Sequence, residues 1–272
     1  MNEIDSATVT AVLTRFIADA VAKTGHRGAI LGVSGGLDSA VVLALAARAL
    51  GPAGVTALLM PYRMSAPEST RHGRSLCQKL GVECLEIDVS PQIDAYFARF
   101  PAEPRMLLGN KCARERMSIL YDHSVRRQAL VIGTSNKSEL LVGYSTLFGD
   151  SAAAIQPIGD LYKTQVFSLA SHLDIPAEII AKQPTADLWP GQTDEGELGI
   201  TYRELDEILF QLVDRKLPPA QVVALLGTPA ERVAQVRQRI VRSQYKRTMP
   251  PVAKLSNRTV GLDFRYLRDL AR

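Results

Sequence analysis

The residues best equipped for chemistry form one short run, Gly32-Val33-Ser34-Gly35-Gly36-Leu37-Asp38-Ser39. Three glycines in a turn let backbone N–H groups come close to an anion, and a helix starting there adds its favourable dipole. Ser34 and Ser39 contribute hydroxyls. Asp38 places a carboxylate at the same end, and a carboxylate beside phosphates calls for a divalent cation between them. The spacing fits neither G-x-x-x-x-G-K-[ST] nor G-x-G-x-x-G, so the ordinary P-loop and dinucleotide fingerprints are excluded. Thr134 and Glu139 form a second polar group, and Lys163 stands alone before a helical stretch.

These residues need a scaffold, and the flanking pattern supplies one. Ala29 to Val33 is a short apolar run, read as a buried strand. Residues 38–50 are helical in composition and stop at Gly51-Pro52. Strands are expected at 55–60, 82–89 and 129–133, with helices at 68–80 and 113–127 and a proline-broken stretch at 91–104. Strands separated by helices of a dozen residues make an α/β fold, a parallel sheet flanked by helices, with right-handed crossovers. From Lys163 onward the pattern is helical, at 163–173, 176–181, 202–213, 219–226 and 231–245. With no repeat and no clear linker, residues 1–272 read as a single domain with a helical C-terminal part. Thr134 and Glu139 follow the fourth strand, at the carboxyl edge where α/β proteins bind ligands. Arg114 precedes Met117 and Tyr121 by three and seven residues, which predicts that it points inward.

Composition narrows the function classes. The 272 residues are 46% hydrophobic and 22% charged with a net charge of +4, a globular and mildly basic chain suited to anionic ligands. The basic run Arg232, Arg237, Arg239, Arg242, Lys246 and Arg247 surrounds the apolar stripe Val233, Val236 and Ile240, as on a packed amphipathic helix; no nucleic acid is expected. No apolar run is long enough for a membrane span, and the first 25 residues read as an amphipathic helix, so a cytoplasmic location is expected. Cys77, Cys84 and Cys112 form no pair with metal-ligand spacing, and His26, His72, His123 and His172 are scattered.

The loop resembles the S-G-G-x-D-S pyrophosphate loop of the N-type ATP pyrophosphatases, whose domains are Rossmann-like. Four further stretches narrow the resemblance: Gly109-Asn-Lys-Cys-Ala-Arg-Glu-Arg-Met117, Gly133-Thr-Ser-Asn-Lys-Ser-Glu-Leu-Leu-Val-Gly-Tyr144, Pro157-Ile-Gly-Asp-Leu-Tyr-Lys-Thr164, and the run from Pro184 to Gly199. In this order, over nearly the whole chain, they are similar to ammonia-dependent NAD synthetases. The resemblance implies that ATP adenylates the nicotinate carboxylate of deamido-NAD, with magnesium assisting, and that ammonia then displaces AMP. It assigns Gly32, Val33, Ser34, Gly35, Gly36, Leu37, Asp38 and Ser39 to the ATP phosphates and Asp38 and Glu139 to magnesium. Thr134, Lys163 and Thr185 go to ATP, and Arg114, Tyr245 and Lys246 to the dinucleotide. Asp38, Lys163 and Asp150 are the implied catalytic residues, Asp150 as a candidate for the ammonium proton. The resemblance also implies a homodimer, and the chain's length, that of a synthetase domain without a fused glutaminase, implies free ammonia as the nitrogen donor. Asp187 and Trp189 lie in a Pro- and Gly-rich stretch that suits a lid.

Three positions depart from the family pattern: Leu147 where lysine is usual, Ala154 where aspartate is usual, and Tyr245 where histidine is usual. All three belong to the acceptor side. Loss of a buried charge-assisted contact costs about 1–3 kcal/mol, so a related pyrophosphatase adenylating a different carboxylate stays open as an alternative. A tRNA-modifying pyrophosphatase is the remoter one.

Overall fold

The computed structural model describes residues 4–100, 105–185, 187, 189, 191–261, 263 and 264. Residues 101–104 of the proline-broken stretch and Ala186, Leu188 and Pro190 of the lid stretch lie outside them.

Four strands, β1 (Gly28–Gly32), β2 (Val55–Leu59), β3 (Glu83–Glu86) and β4 (Ala129–Val131), form one parallel sheet in the order β3-β2-β1-β4. Helix α1 (Ser6–Thr24) precedes β1, α2 (Leu37–Leu50) and α3 (Pro67–Leu80) make the first two crossovers, and α4 (Ser90–Phe97) and α5 (Arg105–Arg127) carry the chain to β4. Strand order therefore reverses beside β1, so the loops after β1 and β4 leave the same edge next to each other. That crevice is the ligand site of open α/β sheets.

Burial follows the period of two expected of a strand. Ala29 and Leu31 of β1 pack with α1, α2, α3 and α7 (Lys163–His172) on one face. Ile30 faces the other way, with Leu58, Ile93 of α4 and Cys112 of α5. Helix α2 is buried on nearly every side, as its apolar composition requires. After the short α6 (Lys137–Val142), α7 and α8 (Ala177–Ile180), the chain forms α9 (Asp194–Leu198), α10 (Tyr202–Leu209), α11 (Pro219–Leu226) and α12 (Ala230–Arg242). These share a second core with α6, built on Val142, Leu205, Leu209, Val222, Val233 and Val236.

The expected elements are present with shifted ends, and two regions differ. Pro91 does not break the chain: it occupies the first turn of α4, where a missing N–H costs nothing. Helix α5 starts eight residues before the expected Ala113. The run around residue 210 continues α10 as a five-residue π-helix (Phe210–Asp214). The basic residues of α12 and of the turn that follows it (Gln244–Arg247) are partly spent inside the fold. Arg239 donates to the Leu198 carbonyl (3.0 Å), and Arg247 to the carbonyls of Leu140 and Leu141 (2.8 Å each). Cys77 and Cys112 are buried and all three cysteines are free thiols; burial pushes the Cys77 thiol up to about 12. Among the described residues no helix is long and apolar enough to cross a membrane.

Candidate active site

A cavity of about 830 Å³ opens at the carboxyl edge of the sheet. Its floor is the run from Gly32 to Ser39, in which α2 begins at Leu37 after Gly36, with no side-chain cap on its first N–H groups. Such uncapped donors suit an anion. Ser39 Oγ holds the turn together, donating to the Gly36 carbonyl (3.0 Å) and accepting from the Ser34 N–H (3.2 Å). Gly35 alone of the run does not line the cavity. It turns through φ +75° against α3, where a Cβ would lie 2.0 Å from the Ser69 carbonyl oxygen.

Beyond β4, Asn136 caps α6 and accepts from the Glu139 N–H (3.0 Å), while Glu139 accepts from the Asn136 N–H (3.3 Å). This capping box fixes Glu139 at the mouth of β4. Asn136 also donates from Nδ2 to Asp38 (3.0 Å), tying the two loops together. Lys163, at the start of α7, is buried at 3% exposure and ion-pairs with Asp38; its Nζ lies 3.6 Å from Glu139. It also stands 5.1 Å from the centroid of the Tyr202 ring. Burial alone would pull the Lys163 ammonium down, but the charges of Asp38 and Glu139 outweigh it and hold it above the ordinary range. Glu139 is raised, first by burial and then by the facing Asp38 charge.

Two carboxylates thus converge on one cationic position. Among the described residues no cluster of three or more His, Cys, Asp or Glu could hold a metal by itself. Magnesium bound with a nucleotide needs fewer, because phosphates and water complete its shell. Six carboxylates (Asp38, Glu139, Asp150, Asp187, Asp194, Glu197) and five cationic side chains (Arg114, Arg116, Lys163, Lys182, Lys246) line the cavity. With this balance, an anionic ligand bound here would leave room for added positive charge. The donor set fits magnesium.

The opposite wall carries the residues expected on the acceptor side. Lys246 donates to the carbonyls of Gly143 (2.7 Å) and Ser145 (2.5 Å), and Tyr245 beside it is 60% exposed at the mouth. Asp150 accepts from the Thr146 N–H (2.7 Å) and opens to the cavity with protein around it, so burial raises its carboxyl above the usual range. Thr134 and Thr185 also line the cavity. Of the three departures, Leu147 and Tyr245 line it, whereas Ala154 is exposed, does not line it, and gives its N–H to the Val131 carbonyl (3.0 Å).

Arg114 corrects the inward reading. It edges the cavity but is exposed, with Nε on the Leu147 carbonyl (3.3 Å), and Tyr121 on the same helix face is 39% exposed. The inward arginine is Arg116, which sequence reasoning passed over. Its Nε donates to the Met60 carbonyl at the end of β2 (2.9 Å), and burial draws its pKa down. Arg116→Ala is expected to weaken Mg·ATP binding roughly tenfold or more, the loss of one charge-assisted contact, as read by titration calorimetry; unchanged affinity would remove Arg116 from the site. A polar net also escaped notice: Tyr144 donates to Asp194 (3.1 Å) and Glu197 (2.7 Å), and Tyr202 to Asp194 (3.2 Å). Its acids lie within the quoted run from Pro184 to Gly199, but only the fold brings them to Lys163.

A parallel sheet with this glycine loop at its switch point defines a Rossmann-like protein of the PP-loop class. A family model described as NAD synthase matches residues 9–250, and the chain belongs to that family. It is 50% identical to the NH(3)-dependent NAD(+) synthetase of Trichlorobacter lovleyi over 98% of this chain and 97% of that one. Among solved structures it is similar to the NMN synthetase of Francisella tularensis, with a TM-score of 0.82 and 32% identity over 93% of this chain and all of the other. The NH3-dependent NAD synthetase of Campylobacter jejuni, solved with nitrate, gives a TM-score of 0.79 and 34% identity over 92% of this chain and all of the other.

Proposed function

We propose that this chain is a carbon–nitrogen ligase that converts deamido-NAD and ammonia to NAD, using ATP and releasing AMP and pyrophosphate. The observation that carries this reading is the convergence of the glycine loop, Asp38, Glu139 and Lys163 on one side of a cavity whose other side holds Arg114, Tyr245, Lys246 and Asp150. Its relatives named NH(3)-dependent NAD(+) synthetases, such as the one covered over 97% of its length, support the same acceptor and nitrogen donor.

A carboxylate resists attack until it becomes a mixed anhydride. The nicotinate oxygen attacks the α-phosphorus, pyrophosphate departs, and the N–H groups of residues 32–39 with the Lys163 ammonium stabilise the charge that develops there. Asp38 and Glu139 would hold magnesium, which when bound neutralises phosphate charge. Ammonia then attacks the acyl carbon and AMP leaves. Asp150, which lines the cavity and whose carboxyl lies above the usual range, would take the proton that ammonium must lose. Thr134 and Thr185 flank the nucleotide.

The chain is proposed to work as one unit, because residues of the sheet core and Tyr144, which packs against the second core, line one cavity, and as a cytoplasmic homodimer. Tyr121, Val125 and Phe148 are exposed apolar side chains, of the kind a subunit interface would cover.

A second reading is favoured by one observation. Leu147 removes a cationic group from the acceptor wall and Tyr245 exchanges an imidazole for a phenol, and one well-matched structure is that of an NMN synthetase. A nicotinate mononucleotide acceptor carries the same carboxylate without the adenylate half. One assay decides: kcat/KM for amide formation, with AMP counted, on deamido-NAD and on nicotinate mononucleotide. The main reading expects deamido-NAD to be preferred; a tenfold or larger preference for the mononucleotide would replace it.

A further inference from the structure

The first two N–H groups of α7, which no carbonyl of that helix can take, find their partners on other elements. The Lys163 N–H donates to Ser138 Oγ of α6 (2.9 Å), and the Thr164 N–H donates to one carboxylate oxygen of Asp206 on α10 (2.9 Å). Thr164 Oγ1 donates to the same oxygen (2.9 Å), and Ser138 Oγ donates to the other (2.5 Å). Ser138 and Asp206 are both fully buried. The direction of this chain of bonds is fixed at its two ends. A backbone N–H can only donate, so the Ser138 hydroxyl gives its own hydrogen to Asp206, and an ionised carboxylate can only accept. Asp206 does not line the cavity, and none of its three donors is a cation. A buried carboxylate costs free energy that an apolar side chain would not. Its place at the start of α7, where the helix dipole favours an anion, offsets part of that cost.

The far end of the chain of bonds lies in the site. Lys163 ion-pairs with Asp38 and stands 3.6 Å from Glu139, the residue that follows Ser138. The lysine and the acid are therefore tied at their backbones as well as at their charges. We propose that Asp206 is a positioning residue for adenylation: through Ser138 and Thr164 it seats the first turn of α7, and with it the Lys163 ammonium, against Asp38 and Glu139. It acts only through Lys163. The effect on the reaction rests on the ligase reading above; the seating of α7 does not. Asn at this position offers one oxygen where three donors converge, and its amide hydrogens face groups that must themselves donate.

Hydrogen exchange on the peptide that begins α7 reads the seating without any turnover. In the full-length protein, Asp206→Asn is expected to speed exchange of the Lys163 and Thr164 amides about tenfold or more. Ser138→Ala cuts the same chain of bonds by removing one oxygen, and it gives both readings if Asp206→Asn does not fold. Single-turnover pyrophosphate release, with deamido-NAD or nicotinate mononucleotide as the wild type prefers, should slow about 30-fold or more, the scale of a reacting group displaced by about 1 Å. Placed in a Lys163→Met protein, the same substitution should slow release by less than about threefold, because the group it positions is gone. Exchange at the wild-type rate overturns the seating. Slowing of the same size in both backgrounds makes Asp206 a structural residue alone and overturns the positioning role. If the wild type forms no amide from either acceptor, the ligase reading fails, and exchange still decides whether Asp206 seats Lys163.

Discussion

Asp38→Asn is expected to leave the protein folded and to cut amide formation by about 10³-fold, the scale seen when a preorganised charged contact is lost from an active site. The substitution keeps the shape and removes the charge. In the wild type, Asp38 faces Lys163 and lies close enough to Glu139 to raise it, and Asn136 donates to it across the crevice. Without its charge, the buried Lys163 keeps Glu139, 3.6 Å away, as its ion-pair partner among the described residues, with the charge of Asp194 acting from farther off. Breaking a buried pair from one side costs about 3–5 kcal/mol in general, so the melting temperature should also fall. The discriminating measurement is single-turnover pyrophosphate release, because it reads the adenylation step alone. Pyrophosphate released at a rate within tenfold of wild type would show that Asp38 is an element of structure and no more.

The second large effect is expected at a residue that does not line the cavity. Gly35→Ala should destabilise the protein by about 2–4 kcal/mol, from the left-handed backbone and from forced overlap with α3. The Ser69 carbonyl oxygen 2.0 Å from the added methyl is backbone and has no rotamer by which to withdraw. Either the loop or the first turn of α3 must move, and both are parts of the phosphate site. ATP affinity and thermal stability should therefore fall together, as read by calorimetry and by a melting curve. A Gly35→Ala protein that melts like the wild type would mean that the loop has another seat.

Much of this was legible in the chain because local and global signals agree around the phosphate loop. Glycines, a following apolar helix and a preceding apolar strand all locate the turn between Gly32 and Ser39, and the structure puts that turn at the switch point. Glu139 was legible twice over, since Asn136-x-x-Glu139 is also a capping signature. Arg114 was misread because α5 has apolar residues on more than one face: Met117 and Tyr121 suggested a buried stripe, yet the buried positions are Gly109 and Cys112. Period alone cannot choose between two apolar faces. Pro91 was misread because a proline marks a helix start as readily as a break. The hydrogen bond from Ser69 Oγ to the Asp187 carboxylate was not legible at all: the two residues are 118 positions apart and share no motif.

Lys163 gives the resting enzyme a built-in counter-ion. Two converging carboxylates would ordinarily recruit whatever divalent cation the solvent offers, but here an ammonium on the same chain already stands between them and offsets part of their charge. A bare ion would have to evict that tenant, whereas one arriving on a triphosphate brings anionic oxygens to which the lysine can transfer. The order of events is thereby written into the apo site. Titration with magnesium alone should give little heat, and strong binding should appear only once ATP is present.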